Sequence, residues 1–201
     1  MCRMWSEMRA DLMANADRKR QPAPVYWARV LGKLLVTPQV QVVVLFRIGH
    51  ALAGTPLRPL AFILRSIGLV IAGAELHPDA TIGPGFALVH SNGVVIGGGV
   101  VAGKDLRLAQ GVTLGEPGRG AAEETWGFPT VGDHVTLGAN AIVLGKRTLG
   151  DGCVVGANAV VTKDVAPLTL VVGSPAKPVR ELTWDLILGG PGEATRAAVA
   201  E

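Results

Sequence analysis

Residues 131–165 read VGDHVTLGANAIVLGKRTLGDGCVVGANAVVTKDV, and their period decides the fold. Val131, Leu137, Val143, Leu149, Val155 and Val161 stand six apart, and Gly132, Gly138, Gly150 and Gly156 follow four of them directly. Further back, Ile96, Ala102, Leu108 and Leu114 keep the same spacing, with Gly97, Gly103 and Gly115 behind three of them; Leu76 and Ile82 begin the pattern. Four residues after most leading positions comes another small or apolar side chain: Val100, Leu106, Val112, Val135, Ala141, Cys153, Ala159 and Val165. Arg147 is the main exception. A sustained six-residue repeat is the sequence mark of a parallel β-helix. Each short strand turns its leading side chain inward, and the next residue rounds a corner where glycine tolerates the backbone required. Three hexapeptides close one triangular coil, and coils stack at the ~4.8 Å spacing of hydrogen-bonded strands.

The composition agrees. Only 4 % of the 201 residues are aromatic, while 27 are glycine, so the interior is thin layers of aliphatic side chains. With 17 % charged residues and abundant Val, Leu and Ile, the chain is not disordered. The net charge of +3 hides an asymmetry. Residues 1–70 hold 10 Lys/Arg against 3 Asp/Glu, and residues 71–201 hold 9 against 13. The fold class expected is therefore mainly β, a parallel β-helix with a small N-terminal α-helical domain. Its parts are a helical domain at 1–73, a β-helix at 74–181 and a C-terminal tail at 182–201. Apolar periodicity and the breaks at Pro38, Pro56 and Pro59 place helices over 4–20, 24–35, 39–54 and 57–73.

Several function classes drop out. The basic half lacks aromatic–basic interleaving and any recognition motif, so no nucleic-acid partner is expected. Arg47, Pro56, Arg58, Pro59 and Arg65 interrupt the apolar stretch 40–74, leaving no uncharged run of the ~18 residues that cross a bilayer. No integral membrane segment is expected; Arg18-Lys19-Arg20 leaves peripheral contact with a membrane open. The first 20 residues lack the apolar centre of a signal peptide, and Cys2 and Cys153 lack metal-ligand spacing, which reads as cytoplasmic with no metal.

Two interruptions break the register. One, at 89–95, carries His90, Ser91 and Asn92; the other is a polar, glycine-rich excursion at 116–128. On a stiff support, such excursions are where a site can be placed.

The segments AELHPDATIGPGFALVHSNGVVIG, QGVTLGE, VGDHVTLGANAIVLG and VGANAVVTKDVAPLTLVVGSPAKPVR resemble the hexapeptide-repeat acyltransferases. They are most similar to the serine acetyltransferase-like branch, close to the exopolysaccharide and colanic-acid-type O-acetyltransferases. The resemblance covers roughly residues 8–181. It implies left-handed coiling, acetyl-CoA as co-substrate, and a homotrimer, or a dimer of trimers, with sites between neighbouring subunits.

Residue by residue, His90 matches the family's catalytic histidine. An alcohol attacks a thioester only as its proton leaves, and imidazole, with a pKa near ~6.5, suits that transfer. Glu75, 15 residues earlier, matches its acidic partner and falls close to one coil of 18. The Gly115 amide is a candidate oxyanion donor. Gly138, Ala139, Gly156 and Ala157 match corners along which pantetheine lies. Lys163, Lys177 and Arg180 either meet the phosphates or form a solvated rim. His77 reads as a turn residue or a site residue, His50 as packed among the helices, and His134 as exposed at a corner.

Three departures concern the acceptor. Where serine acetyltransferases carry Asp before the histidine, Val89 stands; where they carry Arg-His, Gly127-Phe128 stand; Lys19 replaces a helical Asp. Residues that hold a small zwitterion are thus missing, so the acceptor expected is a sugar or polysaccharide precursor. Asn92, Glu123, Glu124, Trp126 and Phe128 are its candidate contacts, with Trp126 and Phe128 stacking on a ring. The excursion packing on an adjacent subunit is the other reading. Two further hypotheses remain. One is a serine O-acetyltransferase with an atypical pocket; the other is a non-catalytic trimeric β-helix scaffold.

Overall fold

Each hexapeptide becomes a two- or three-residue strand and a turn, so three strands make one layer of a triangular prism. The computed structural model describes residues 2–15 and 32–188. Its strands stack as a left-handed parallel β-helix with three faces. Sheet A holds β1 (Glu75–Leu76), β4 (Val95–Ile96), β7 (Thr113–Gly115), β10 (Ile142–Leu144) and β13 (Val160–Val161). Sheet B holds β2 (Thr81–Ile82), β5 (Val101–Ala102), β8 (Thr130–Val131) and β11 (Thr148–Leu149). Sheet C holds β3 (Ala87–Leu88), β6 (Arg107–Leu108), β9 (Thr136–Leu137), β12 (Val154–Val155), β14 (Thr169–Val172) and β15 (Lys177–Glu181). Only β15 runs antiparallel, folding back on β14.

The leading residues of the repeat line the interior. Ile96, Ala102, Leu108, Leu114, Val131, Leu137, Val143, Leu149, Val155 and Val161 all lie in one buried cluster. Cys153 belongs to it, and burial pushes its thiol up to about 12, so it is a packing residue rather than a nucleophile. The prism has three edges, named here by the sheets they join. Along the CA edge Gly93, Gly111, Asn140 and Asn158 adopt left-handed backbone at successive levels. Asparagine is among the few side chains that accept this conformation, and Asn140 also donates to Asn158 Oδ1 at 3.2 Å.

The helical part ends at Ala72, three residues before β1 begins. It contains α1 (Cys2–Asn15), α2 (Pro38–Ala53) and α3 (Arg58–Ala72), with helical backbone also at 32–36. Proline opens α2 and α3, and Gly73 in left-handed backbone closes α3. The helix expected over 24–35 lies mostly outside the described residues, as do Arg18-Lys19-Arg20. Arg47 of α2, 1 % exposed at its side chain, joins the helices to the prism. It binds Asp11 through two contacts of 2.6 and 3.1 Å and donates to the carbonyls of Ile82 and Gly83. Burial raises the Asp11 carboxyl above its ordinary value, outweighing the lowering by Arg47. His50 packs in the helical part as expected, with Nδ1 2.9 Å from the Pro78 carbonyl.

In the expected tail, α4 (Trp184–Leu188) sets the Trp184 ring 5.8 Å from the His134 ring. His134 is therefore not freely exposed, as its corner position suggested: the indole covers one side and Asp105 lies 3.3 Å from Nδ1.

Candidate active site

Counting corners places the two interruptions on different edges of the prism. His90 leaves β3 and enters the turn that leads to β4, on the CA edge. Its side chain is exposed and, among the described residues, makes no hydrogen bond or ion pair. Asn92, also exposed, lies directly above Gly73, and the Gly93 amide donates to the Gly73 carbonyl at 2.8 Å. Glu75 begins β1 two residues after Gly73, and its amide donates to the Val94 carbonyl at 2.8 Å. Glu75 and His90 thus belong to neighbouring layers of one edge. Within one chain, however, the expected Glu75–His90 contact is not made. Glu75 Oε1 lies 3.2 Å from Arg65 of α3, which crosses the start of sheet A and takes the carboxylate.

Above His90 the CA edge continues through small residues. Asn140 donates its amide to Gln110, and Asn158 to Ala139, each at 2.8 Å, so Gly138-Ala139 and Gly156-Ala157 stand in the same column. The column rises over three strand spacings, roughly 14 Å. Gly138 and Gly156 carry no side chain and Ala139 and Ala157 only methyls, which leaves backbone open to close approach. At the top of the prism, Lys163, on the turn after sheet A, and Arg180 line one cavity of about 600 Å³ together with Asp164 and Glu181. Lys177, exposed on β15, is not among its lining residues.

The AB edge carries the excursion. Glu123 and Glu124, both exposed, lie in a one-turn 3₁₀ helix (Glu123–Thr125), and Trp126 is 45 % exposed. The Thr125 carbonyl accepts the Lys146 amide at 2.9 Å, so the excursion folds up against the next layer. Phe128 does not offer its ring to a ligand as expected. It packs against the buried core and lies over Gly97 and Gly99; a Cβ on Gly97 would meet its ring at 2.5 Å. Gly115 pairs with Leu144 in the parallel ladder, and its carbonyl accepts the Gly145 amide at 2.9 Å. That register makes its own amide a ladder donor rather than a free oxyanion donor. The expectation missed Arg65, which no spacing in the β-helix could reveal because it comes from α3. It also missed the separation of the two interruptions, readable by counting hexapeptides between His90 and Glu116.

Sheet A, which both edges border, is more apolar outside than sheet B, above all in its upper layers. Its outward positions are Glu75, Val95, Thr113, Ile142 and Val160, where sheet B presents Thr81, Val101, Thr130 and Thr148. Beside β1, the outer face of α3 adds Ile63, Ile67, Val70 and Ile71 around a groove of about 480 Å³. Among the described residues no helix is long and apolar enough to cross a membrane, and no three His, Cys, Asp or Glu side chains converge to hold a metal.

Comparison with known proteins points the same way as this geometry. Residues 128–163 match the model of the bacterial transferase hexapeptide (six repeats). The chain is 43 % identical over 171 residues to the probable serine acetyltransferase 4 of Oryza sativa subsp. japonica, an alignment covering 85 % of this chain and 52 % of the rice protein. It therefore spans about half the length of that relative. A Helicobacter pylori serine acetyltransferase is 38 % identical over 170 residues, 84 % of this chain and 96 % of that protein. Among solved structures, soybean serine acetyltransferase complexed with serine aligns at TM-score 0.76 and 36 % identity, covering 89 % of this chain and 70 % of that one. The Brucella abortus enzyme in complex with coenzyme A aligns at TM-score 0.77 and 29 % identity, covering 89 % and 69 %.

Proposed function

Because the chain belongs to the serine acetyltransferase family of hexapeptide-repeat proteins, we propose that it transfers acetyl from acetyl-CoA to an acceptor hydroxyl, with His90 as general base. One observation carries this reading: an exposed His90 stands low on an edge whose second and third corners above it are Gly138-Ala139 and Gly156-Ala157. A thioester arm laid along that edge meets backbone rather than side chains and ends beside an imidazole. Lys163 and Arg180, which share the upper cavity with Asp164 and Glu181, are its candidate phosphate contacts.

The reaction balances without a covalent enzyme intermediate. A neutral imidazole nitrogen of His90 takes the acceptor O–H proton as the oxygen bonds to the thioester carbonyl carbon. The carbon–sulfur bond then breaks. The leaving thiolate takes the proton back, giving the acetyl ester and free CoA. A positioned base of this kind contributes ~10²–10⁴ in rate. Glu75 serves as the orienting partner of His90 once its carboxylate is shared with Arg65.

The chain works as a trimer with sheet A toward the threefold axis, a placement supported by outward Val95, Ile142 and Val160 on that sheet. The CA edge of one copy then faces the AB edge of the next. Trp126, Glu123 and Glu124 reach the His90 edge from a neighbour, and the site is incomplete in a single chain. A serine-like acceptor is the first reading, supported by the soybean and Helicobacter relatives. A saccharide hydroxyl is the second, favoured by Val89, an apolar side chain 44 % exposed beside His90.

Free-CoA release from acetyl-CoA with a panel of acceptors tests the proposal. Turnover that falls ~10²–10⁴-fold in His90→Ala, with unchanged thermal melting, is the expected result. Robust turnover of L-serine selects the first acceptor, and turnover of saccharides alone selects the second. Acetyl-CoA binding without transfer to any hydroxyl, or equal rates in His90→Ala, overturns the proposal and leaves a scaffold.

A further inference from the structure

α3 is built the wrong way round for a helix at the surface of a domain in water. Its inward face is small: Ala61, Gly68 and Ala72 are buried, and a Cβ on Gly68 would meet Val42 of α2 at 2.8 Å. Its large aliphatic side chains point the other way. Leu60, Ile63, Ile67, Val70 and Ile71 are all exposed, Ile63 at 55 % and Val70 at 85 %. Their spacing of three and four residues makes one stripe, about 16 Å long. A contiguous apolar patch of this kind marks a surface that meets something other than water.

The stripe offers no hydrogen bonds. Ser66 is the polar residue lining its groove, and its hydroxyl donates to the Phe62 carbonyl at 3.0 Å. Thr55, just before α3, donates likewise to the Leu52 carbonyl at 2.8 Å. Arg58 and Arg65 lie over the Phe62 ring, at 5.4 and 5.9 Å from its centre, and pair with Asp79 and Glu75. An interface with another protein carries about one hydrogen bond per 100–200 Å² and is anchored by aromatic or arginine side chains. Branched aliphatics whose four polar neighbours are already satisfied suit lipid acyl chains, which need no bonds.

The charge of the helical part suits the headgroups. Residues 1–70 hold ten Lys/Arg against three Asp/Glu. Two of those acids, Glu7 and Asp11, are turned onto Arg47, with side chains 14 % and 1 % exposed. The positive surplus is therefore not cancelled by carboxylates turned outward on α1. At 15 residues α3 is too short to cross a bilayer, so its place is in the plane of the surface.

We propose that the outer face of α3 docks on an anionic lipid surface, laying Leu60, Ile63, Ile67 and Val70 at the boundary between headgroups and acyl chains. In the trimer proposed above, three such faces lie at one end of the particle, and together they hold more tightly than one.

The test is co-sedimentation of the full chain with vesicles of equal parts phosphatidylcholine and phosphatidylglycerol, and with vesicles of phosphatidylcholine alone. The wild type should partition onto the mixed vesicles about 10-fold better than onto the neutral ones. Ile63→Ser/Val70→Ser removes exposed apolar area and keeps the charge. Its partition onto the mixed vesicles should fall about 10-fold or more, with thermal melting unchanged. Should the double variant melt early, Val70→Ser alone, at the most exposed position, should still lose about 3-fold. Ser66→Leu completes the stripe and should raise partition at unchanged melting. A wild type that stays in solution with the mixed vesicles, or prefers them no more than neutral ones, overturns the proposal. So does partition that the serine variants leave unaltered. Packing of α3 on α3 of neighbouring copies is the competing occupant. It predicts that Ile63→Ser/Val70→Ser lowers the mass seen by light scattering without lipid, and that outcome overturns the docking. Sedimentation reads no turnover, so failure here and failure of the transfer reaction are told apart.

Discussion

On the CA edge, Gly111, Asn140 and Asn158 repeat one left-handed turn layer after layer, and each turn hydrogen-bonds to the one below. On the AB edge no two layers match. The first has His77 and Asp79, the second Gly97 and Gly99 under a phenyl ring, the third a thirteen-residue excursion (116–128), and the fourth Lys146-Arg147. The regular edge is a straight rail of backbone, suited on the reading proposed above to a flexible thioester arm. The irregular edge tolerates insertions and unusual side chains, because nothing above or below has to keep the same turn.

A methyl group added to each edge measures the difference. On the CA edge, a Cβ at Gly138 would stand 2.7 Å from the Ala157 amide nitrogen and 3.0 Å from the Gly156 carbonyl carbon. Backbone meets backbone, so two coils must part. Gly138→Ala should cost about 3 kcal/mol, the upper end for overpacking, in denaturant unfolding. A loss under about 1 kcal/mol would show that the rail bends. On the AB edge, a Cβ at Gly99 runs into the ring of Phe128, which can be pushed aside. Gly99→Ala should cost about 1 kcal/mol globally, yet make the excursion 116–128 markedly easier to cleave in limited proteolysis. An excursion that stays protected would mean that Phe128 is not its anchor.

The smallest effect concerns His77 on the AB edge. Burial lowers its pKa below the ordinary 6.5; Asp79 and Glu75 oppose this, and Arg65 and Arg58 add to it. The fold therefore favours neutral imidazole, and the unfolded chain binds the extra proton as pH falls below 6.5. Stability contributed by His77 is complete above that value and declines below it. Melting temperatures of the wild type minus those of His77→Asn, followed from pH 7.5 down to about 5, should fall. A flat difference would place His77 in contact with water.

The prism was legible because a six-residue period leaves few alternatives: ten leading residues in two registers all reached the interior. Helix limits at 39–54 and 57–73 came within a residue or two of α2 and α3, since proline and glycine mark their ends. The site was legible one residue at a time and not as an arrangement. His90 and Glu75 could be placed on neighbouring layers by counting. The Glu75–Arg65 pair could not, because it depends on how α3 crosses sheet A. Phe128 misled because a lone ring in a polar loop looks like a ligand platform. The glycines at 97 and 99 were the signal that a ring packs against them. Arg147 stood out as a break in the apolar pattern, but its shielded, unpartnered Nε needed the packing around it.

A stack of identical layers has no natural last layer. Its end coils show unpaired amides and carbonyls to any similar coil, the usual starting point of fibre growth. At the lower end, Asp11 accepts the amides of Gly85 and Phe86, Asn15 donates to the Phe86 carbonyl, and Arg47 donates to Ile82 and Gly83. These bonds occupy groups through which another prism would extend the stack. At the other end, β15 reverses direction and covers β14. The helices and the final hairpin thus act as stoppers, and the protein stays a discrete particle rather than a filament.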